Sequence, residues 1–182
     1  MHTKVENPEV LYADDRIVTV DAAAIAEMKR GAAANDRRRI RLCAHRGVDD
    51  PLHEMLIVHE RDAYVRPHKH LGKSESFHVI EGEADVVMFD DEGLVTDVIP
   101  VGSVASGRAF FYRIADPLFH TLLIRSDVLV FHETTRGPFQ RSDTVFAPWA
   151  PDDRNAGEVD RFLRGLDDQL VSRLAVKSGS RV

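Results

Sequence analysis

Cysteine is nearly absent from this chain: Cys43 is the only one in 182 residues, beside a single tryptophan and an aromatic content of 7%. One thiol excludes an intrachain disulfide and a thiolate-rich metal site, and it fits a reducing cytoplasm best. Long apolar runs are also missing, since no stretch approaches the roughly 20 residues that span a bilayer. The opening MHTKVENPEVLYADD has acidic residues and no apolar core of signal-peptide length. Excess positive charge is lacking too. With 24 Lys and Arg against 30 Asp and Glu, the net charge is -6 and the pI near 5.8, which gives no electrostatic reason to bind nucleic acid or an anionic membrane. The one basic cluster, Arg37-Arg38-Arg39, reads as a solvated loop or as a local site for an anionic substrate. No internal repeat or low-complexity linker interrupts the chain.

What is present is enough for one core: 43% of the residues are hydrophobic, so a single domain with short helical additions is expected. Asp21 is a candidate N-cap for a helix in DAAAIAEMKRGAAAN, with Lys29 and Arg30 in its last turn near Gly31. From Ile40 the pattern turns to short β-rich runs: IRLCAH, LHEMLIVH, AYVRPHKH, SFHVI, ADVVMF, LVTDVI, AFFYRI, HTLLI and VLVFHE. Nine such runs divided by turn residues predict a sandwich or barrel. Asp90-Asp91-Glu92-Gly93 reads as a hairpin turn, since it lacks the repeated oxygen ligands of a calcium loop. After Pro151 the β pattern stops, and Phe162, Leu163, Leu166, Leu170 and Leu174 fall on one face of an amphipathic helix. The expected boundaries are 1–38 for an N-terminal helical extension, 39–150 for the barrel and 151–182 for the C-terminal helix and tail.

The stretch Tyr64 to Gly82, YVRPHKHLGKSESFHVIEG, carries the chemistry. His68 and His70 are two apart, and in a strand such residues point to one face, so both imidazoles can meet one ion. Leu71 to Ser74 suffice for a turn, after which Glu75 returns a carboxylate to the same place. Imidazole nitrogens with one carboxylate suit one divalent Fe, Mn, Ni or Zn ion. If alternation continues backwards, Tyr64 and Arg66 also face inward while Val65 and Lys69 face out. Arg66 would then hold an anionic group or pair with an internal acid such as Glu54 or Glu133, and Tyr64 would move a proton or simply fill the core. His132 and Glu133 are adjacent, so only one can point inward; either could orient a ligand histidine. His45 and His53 flank the turn at Asp49-Asp50-Pro51 and can hydrogen-bond there, and His78 falls on the opposite face from Glu75 as a structural or interface residue.

The order H-x-H-x4-E-x6-G, given by His68, His70, Glu75 and Gly82, resembles the first motif of the cupin superfamily, with Asp62 standing where that family usually has glycine. The segment IADPLFHTLLI is similar to the second motif, which implies His120 as a fourth ligand. RLCAH, DDPLHEMLIVH, RPHKHLGKSESFHVIEGEADVVMFDDEG and FHETTRGPF look like the WbuC-type cupin-fold metalloproteins, found among bacterial O-antigen and surface-polysaccharide genes, over roughly residues 20 to 150. The resemblance implies a mainly β protein: a single cupin domain, an antiparallel β-barrel or jelly-roll, with a short N-terminal helix and a C-terminal amphipathic helix. The implied metal set is His68, His70, Glu75 and His120, with Tyr64, Arg66, His132 and Glu133 as candidates for catalysis. The activity expected is a metal-dependent isomerisation or epimerisation of a sugar-derived small molecule in surface-polysaccharide synthesis, an anionic one where Arg66 holds it. An Fe(II) dioxygenase and a non-catalytic metal-dependent binding or regulatory module are the alternatives, the latter favoured if Phe77, Met88 and Phe110 close the cavity. Short strands with exposed edges and outward Val65, Phe119 and Leu123 predict a homodimer, unless the terminal helices cover them.

Overall fold

The computed structural model describes residues 2–179, with side chains described as far as Val171. Two strands precede everything the sequence pattern suggested: β1 (Thr3–Asn7) and β2 (Val10–Ala13) form an antiparallel pair. Then come α1 (Ala22–Ala34), β3 (Arg39–Cys43), β4 (Leu52–Glu60), β5 (His68–His70), β6 (Glu75–Glu81), β7 (Glu83–Phe89), β8 (Val95–Gly102), β9 (Phe111–Ile114), β10 (Phe119–Ile124), β11 (Val128–Arg136), β12 (Thr144–Phe146) and α2 (Ala156–Gly179). A seven-stranded sheet in the order β1-β2-β3-β4-β11-β6-β9 faces a five-stranded sheet in the order β12-β5-β10-β7-β8. The pairings are antiparallel except that of β2 with β3. This is the expected cupin β-sandwich in a single domain, and each of the nine β runs contributes a strand. No helix among the described residues is long and apolar enough to cross a membrane.

The core lies between the sheets and is built by alternation. On β4, Met55 and Ile57 point in; on β6, Phe77 and Val79; on β11, Leu129 and Phe131; on β7 and β10, Ala84, Val86, Met88, Leu122 and Ile124. Phe77 is stacked between Tyr112 (ring centroids 4.8 Å apart) and Phe131 (4.9 Å). Gly82 closes the β6–β7 turn at φ 85°, where a Cβ would lie 2.1 Å from the carbonyl oxygen of Val128, so glycine is required on two counts. At the β7–β8 hairpin Asp90 accepts hydrogen bonds from the amides of Glu92 and Leu94, and Gly93 takes φ 90°, as the turn pattern predicted.

Helices cover both outer faces. Asp21 caps α1 by accepting from Ala24 N–H at 2.9 Å, and Met28 and Ala32 pack on Ile40, Leu42, Val58 and Val130. The helix runs past Gly31 to Ala34 because three alanines follow and Gly31 lets the helix approach Ile40, whose Cδ1 would stand 2.8 Å from an added Cβ. On the other face Leu166 and Leu170 of α2, with Phe162 and Leu163, cover Val87, Phe89, Phe119 and Leu123. Of the two covers expected for Phe119 and Leu123, a second subunit or a terminal helix, the structure provides the helix. Val65 is not outward, but packs against the inner core. Leu174, assigned to the same helical stripe, lies outside the residues whose side chains are described.

Burying Leu166 to 3% exposure makes α2 part of the fold. Leu166→Ala is expected to lower stability by about 2–5 kcal/mol, read as a shifted denaturant midpoint.

Candidate metal centre

His68 and His70 come from β5, Glu75 from the start of β6 and His120 from β10, and one donor atom from each lies within 4.8 Å of the others. Pairing explains the convergence: His120 is directly opposite His68 across β5 and β10, and the turn after His70 brings Glu75 over from the facing sheet. His120 Nε2 is 2.7 Å from Glu75 Oε1, and His70 Nε2 is 3.1 Å from Oε2. The His68 ring is 4.9 Å from that of His70 and 4.6 Å from that of His120.

The outer nitrogens fix how the rings are aimed. His68 Nδ1 lies 2.8 Å from the Arg66 carbonyl and His120 Nδ1 3.0 Å from the Leu118 carbonyl. A carbonyl accepts only, so in each neutral ring Nδ1 carries the proton and Nε2 offers a lone pair. His70 Nδ1 is held instead by the Thr144 hydroxyl at 3.1 Å. Tethering the far nitrogen of each imidazole is the arrangement that metal-binding histidines require. Glu75 is 3% exposed, and its two oxygens face His120 Nε2 and His70 Nε2, so burial of its charge is tolerable only beside these imidazoles or a cation. Donors about 2.1 Å from an ion stand at most roughly 4.2 Å apart, so small inward movements would close this cluster on one ion. The donor set fits a divalent transition metal.

Electrostatics agree with that reading. Burial, with His120 beside it, depresses His68 to about 3 and keeps its ring neutral. Burial would push Glu75 up, but hydrogen bonds from His120 and His70 outweigh it and hold the carboxyl below its ordinary range. Burial would likewise lower His120, and the Glu75 carboxylate reverses that shift.

Of the residues expected to assist, the structure brings only Glu133 within electrostatic reach of this cluster. On β11 Leu129 and Phe131 face in and Val130 packs under α1, so Glu133 faces in and His132 out, where it sits 4.0 Å from Glu54. Glu133 lies between Met55 and Phe77 on the inner face. Burial first, and the charge of Glu75 second, push its carboxyl up to about 8. Neither His132 nor Glu133 orients a ligand histidine; two backbone carbonyls and Thr144 do so.

Tyr64 and Arg66 are placed elsewhere, because β5 begins only after Pro67 and its alternation does not extend back to them. The Tyr64 hydroxyl donates to the Pro151 carbonyl at 3.1 Å. Arg66 pairs with Asp152 at 3.2 Å, rather than with Glu54 or Glu133, and its guanidinium lies over Phe146 at 5.0 Å. The Arg37-Arg38-Arg39 run is likewise engaged by acids: Arg37 by Asp153 and Glu9, Arg38 by Glu60, and Arg39 by Glu9. His45 and His53 stack at 4.0 Å, and the Glu54 amide donates to His45. Phe77 and Met88 do fill the interior, whereas Phe110 is 44% exposed.

A family model described as a domain of unknown function, DUF6016, matches residues 20–101, which include His68, His70 and Glu75 but not His120. No curated protein matches the chain. Among solved structures, protein SO0799 from Shewanella oneidensis is 12% identical, with 58% of this chain and 72% of that one covered, at a TM-score of 0.49. Oxalate decarboxylase from Bacillus subtilis is 19% identical, with 54% of this chain and 25% of that one covered, at 0.43. Procruciferin, the 11S globulin of Brassica napus, is 17% identical, with 48% and 21% covered, at 0.40. The chain thus spans about a quarter of the decarboxylase and less of the globulin. The strands and side chains of this protein themselves define a cupin fold with a candidate centre for a metal ion.

Two outcomes are expected. Thr144→Val should weaken metal binding about tenfold or more in a chelator competition, while Thr144→Ser, which keeps the hydroxyl, should not. In metal-free protein Glu133 keeps a proton that the unfolded chain releases above its ordinary value of 4.5, so stability falls as pH rises from there to about 8. Glu133→Gln removes that dependence, and its advantage over wild type in urea denaturation should grow across this window and level off above it.

Proposed function

We propose that the protein is a metal-dependent enzyme of the cupin class that moves a proton on a small oxygen-bearing substrate, as in an isomerisation or epimerisation. The observation that carries this reading is the set of three imidazoles, each tethered at Nδ1, with His70 and His120 presenting Nε2 to the buried Glu75 carboxylate and His68 in the same cluster of donor atoms. His68, His70, Glu75 and His120 would hold the ion, which when bound supplies Lewis acidity toward a carbonyl or hydroxyl oxygen. Glu133 is the proton carrier in this scheme: it lies on the inner face near Glu75 and His120, makes no ion pair among the described residues, and its raised pKa near 8 lets it both give and take a proton near neutrality. Tyr64 and Arg66 serve instead to hold residues 150–152 against the strand that carries His68 and His70.

The sugar-derived substrate and the polysaccharide setting rest on the sequence resemblance to WbuC-type proteins. The homodimer rests on Ile80, Phe110 and Phe111, which remain exposed beside the edge strand β9.

Metal analysis of purified protein, followed by proton exchange into candidate sugars in deuterated water, tests the proposal. His70→Ala should lose the metal, whereas Arg66→Ala should keep it and lose at most about 1 kcal/mol of stability, since its pair with Asp152 is partly exposed. Oxygen consumption by iron-loaded protein without proton exchange would replace this reading with that of a dioxygenase. Metal binding with neither activity would leave a binding module.

A further inference from the structure

Tyr112 is a residue that no motif pointed to. It lies on β9 opposite Phe77, and Phe77 is itself opposite Glu133, so the three occupy one row across the inner face of the seven-stranded sheet. The next row brings Thr135 opposite Glu75. The Tyr112 ring is fixed by stacking on Phe77 at 4.8 Å and 11°. Its hydroxyl is buried, has no hydrogen-bond partner, and is close enough to Glu75 and Glu133 to feel both carboxylates. Burial, reinforced by those two groups, keeps the phenol protonated, so it is a buried donor without an acceptor on the inner face of the sheet. Leaving such a group unpaired is costly, and proteins tolerate it chiefly where a ligand or an ordered water completes the bond.

We propose that Tyr112 is a substrate-binding residue: its hydroxyl donates to a second oxygen of a ligand whose first oxygen sits at the metal centre. The ligand class is then a small hydroxy-carbonyl or hydroxy-acid compound, with oxygens on adjacent carbons. No fixed cation is asked of the site, which agrees with the engagement of Arg66 by Asp152. The proposal rests on the metal-centre reading, and the test separates the two.

Cobalt(II), whose visible spectrum reports its ligands, serves as the probe metal; glycolate probes both oxygen positions and azide probes the ion alone. Tyr112→Phe keeps the ring stack and removes only the hydroxyl, so the variant is expected to fold, to bind cobalt(II) as wild type does, and to bind azide unchanged. Glycolate binding should weaken about tenfold. Unchanged glycolate affinity in Tyr112→Phe would overturn the proposal while leaving the metal centre intact, as would a wild-type protein that binds azide and not glycolate. Failure of wild-type protein to bind cobalt(II) would overturn the metal reading itself. A variant that loses thermal stability without glycolate, and loses no glycolate affinity, would show the hydroxyl to be bonded to structural water, and so would also overturn the proposal.

Discussion

A buried carboxylate held between imidazoles is the constraint around which this molecule is arranged. Glu75 cannot be tolerated at 3% exposure without compensating positive charge, and three imidazoles from the opposite sheet are brought to it. Each imidazole is in turn oriented from behind, two by backbone carbonyls that no point substitution removes and one by the Thr144 side chain. The geometry at the centre is thus mostly a property of the strand paths. Only at His70 does it depend on another side chain.

The fold supplies those paths by sealing both sheets with the protein's own helices. α1 lies on the outer face of the seven-stranded sheet and α2 on that of the five-stranded sheet. This leaves the inner face free to carry polar groups, and they cluster at the end of the barrel where the histidines enter. Farther in, the space is closed by stacked aromatic rings and by Met88, Leu122 and Ile124. A polar end backed by an apolar floor limits water around the carboxylates, and for that reason the environment of Glu133 departs so far from solution behaviour.

Much of this was legible in the sequence because the β runs alternate and because His68, His70 and Glu75 are separated by a turn of the right length. The features that were not legible have physical reasons. Strand β1 is fully exposed, so it has no buried side to betray it, and β12 is only three residues long. In VLVFHE both faces of the strand are buried from Leu129 to Phe131, one under α1 and one in the core, so no alternation was available to tell His132 from Glu133. Pro67 interrupts the strand that alternation would have extended to Tyr64 and Arg66, and the chain before it follows another path. The Thr144 tether and Tyr112 are contacts between segments far apart in sequence, and nothing local announces them.

The placement of β12 has a consequence of its own. This strand is the outermost of its sheet, and it pairs with β5 so that Thr144 lies opposite His70 and Phe146 opposite His68. Lys73 pairs with Asp143 at 3.0 Å, and the Ala147 amide donates to the Pro67 carbonyl, at the two ends of the same strip. The strand that carries two of the histidines is therefore only three residues long and is held down by chain that arrives some seventy residues later. During folding or synthesis the centre cannot be complete until that late segment has docked. Loading with metal would accordingly report that residues 143–147 have docked, much as a latch closes only when its own panel is in place.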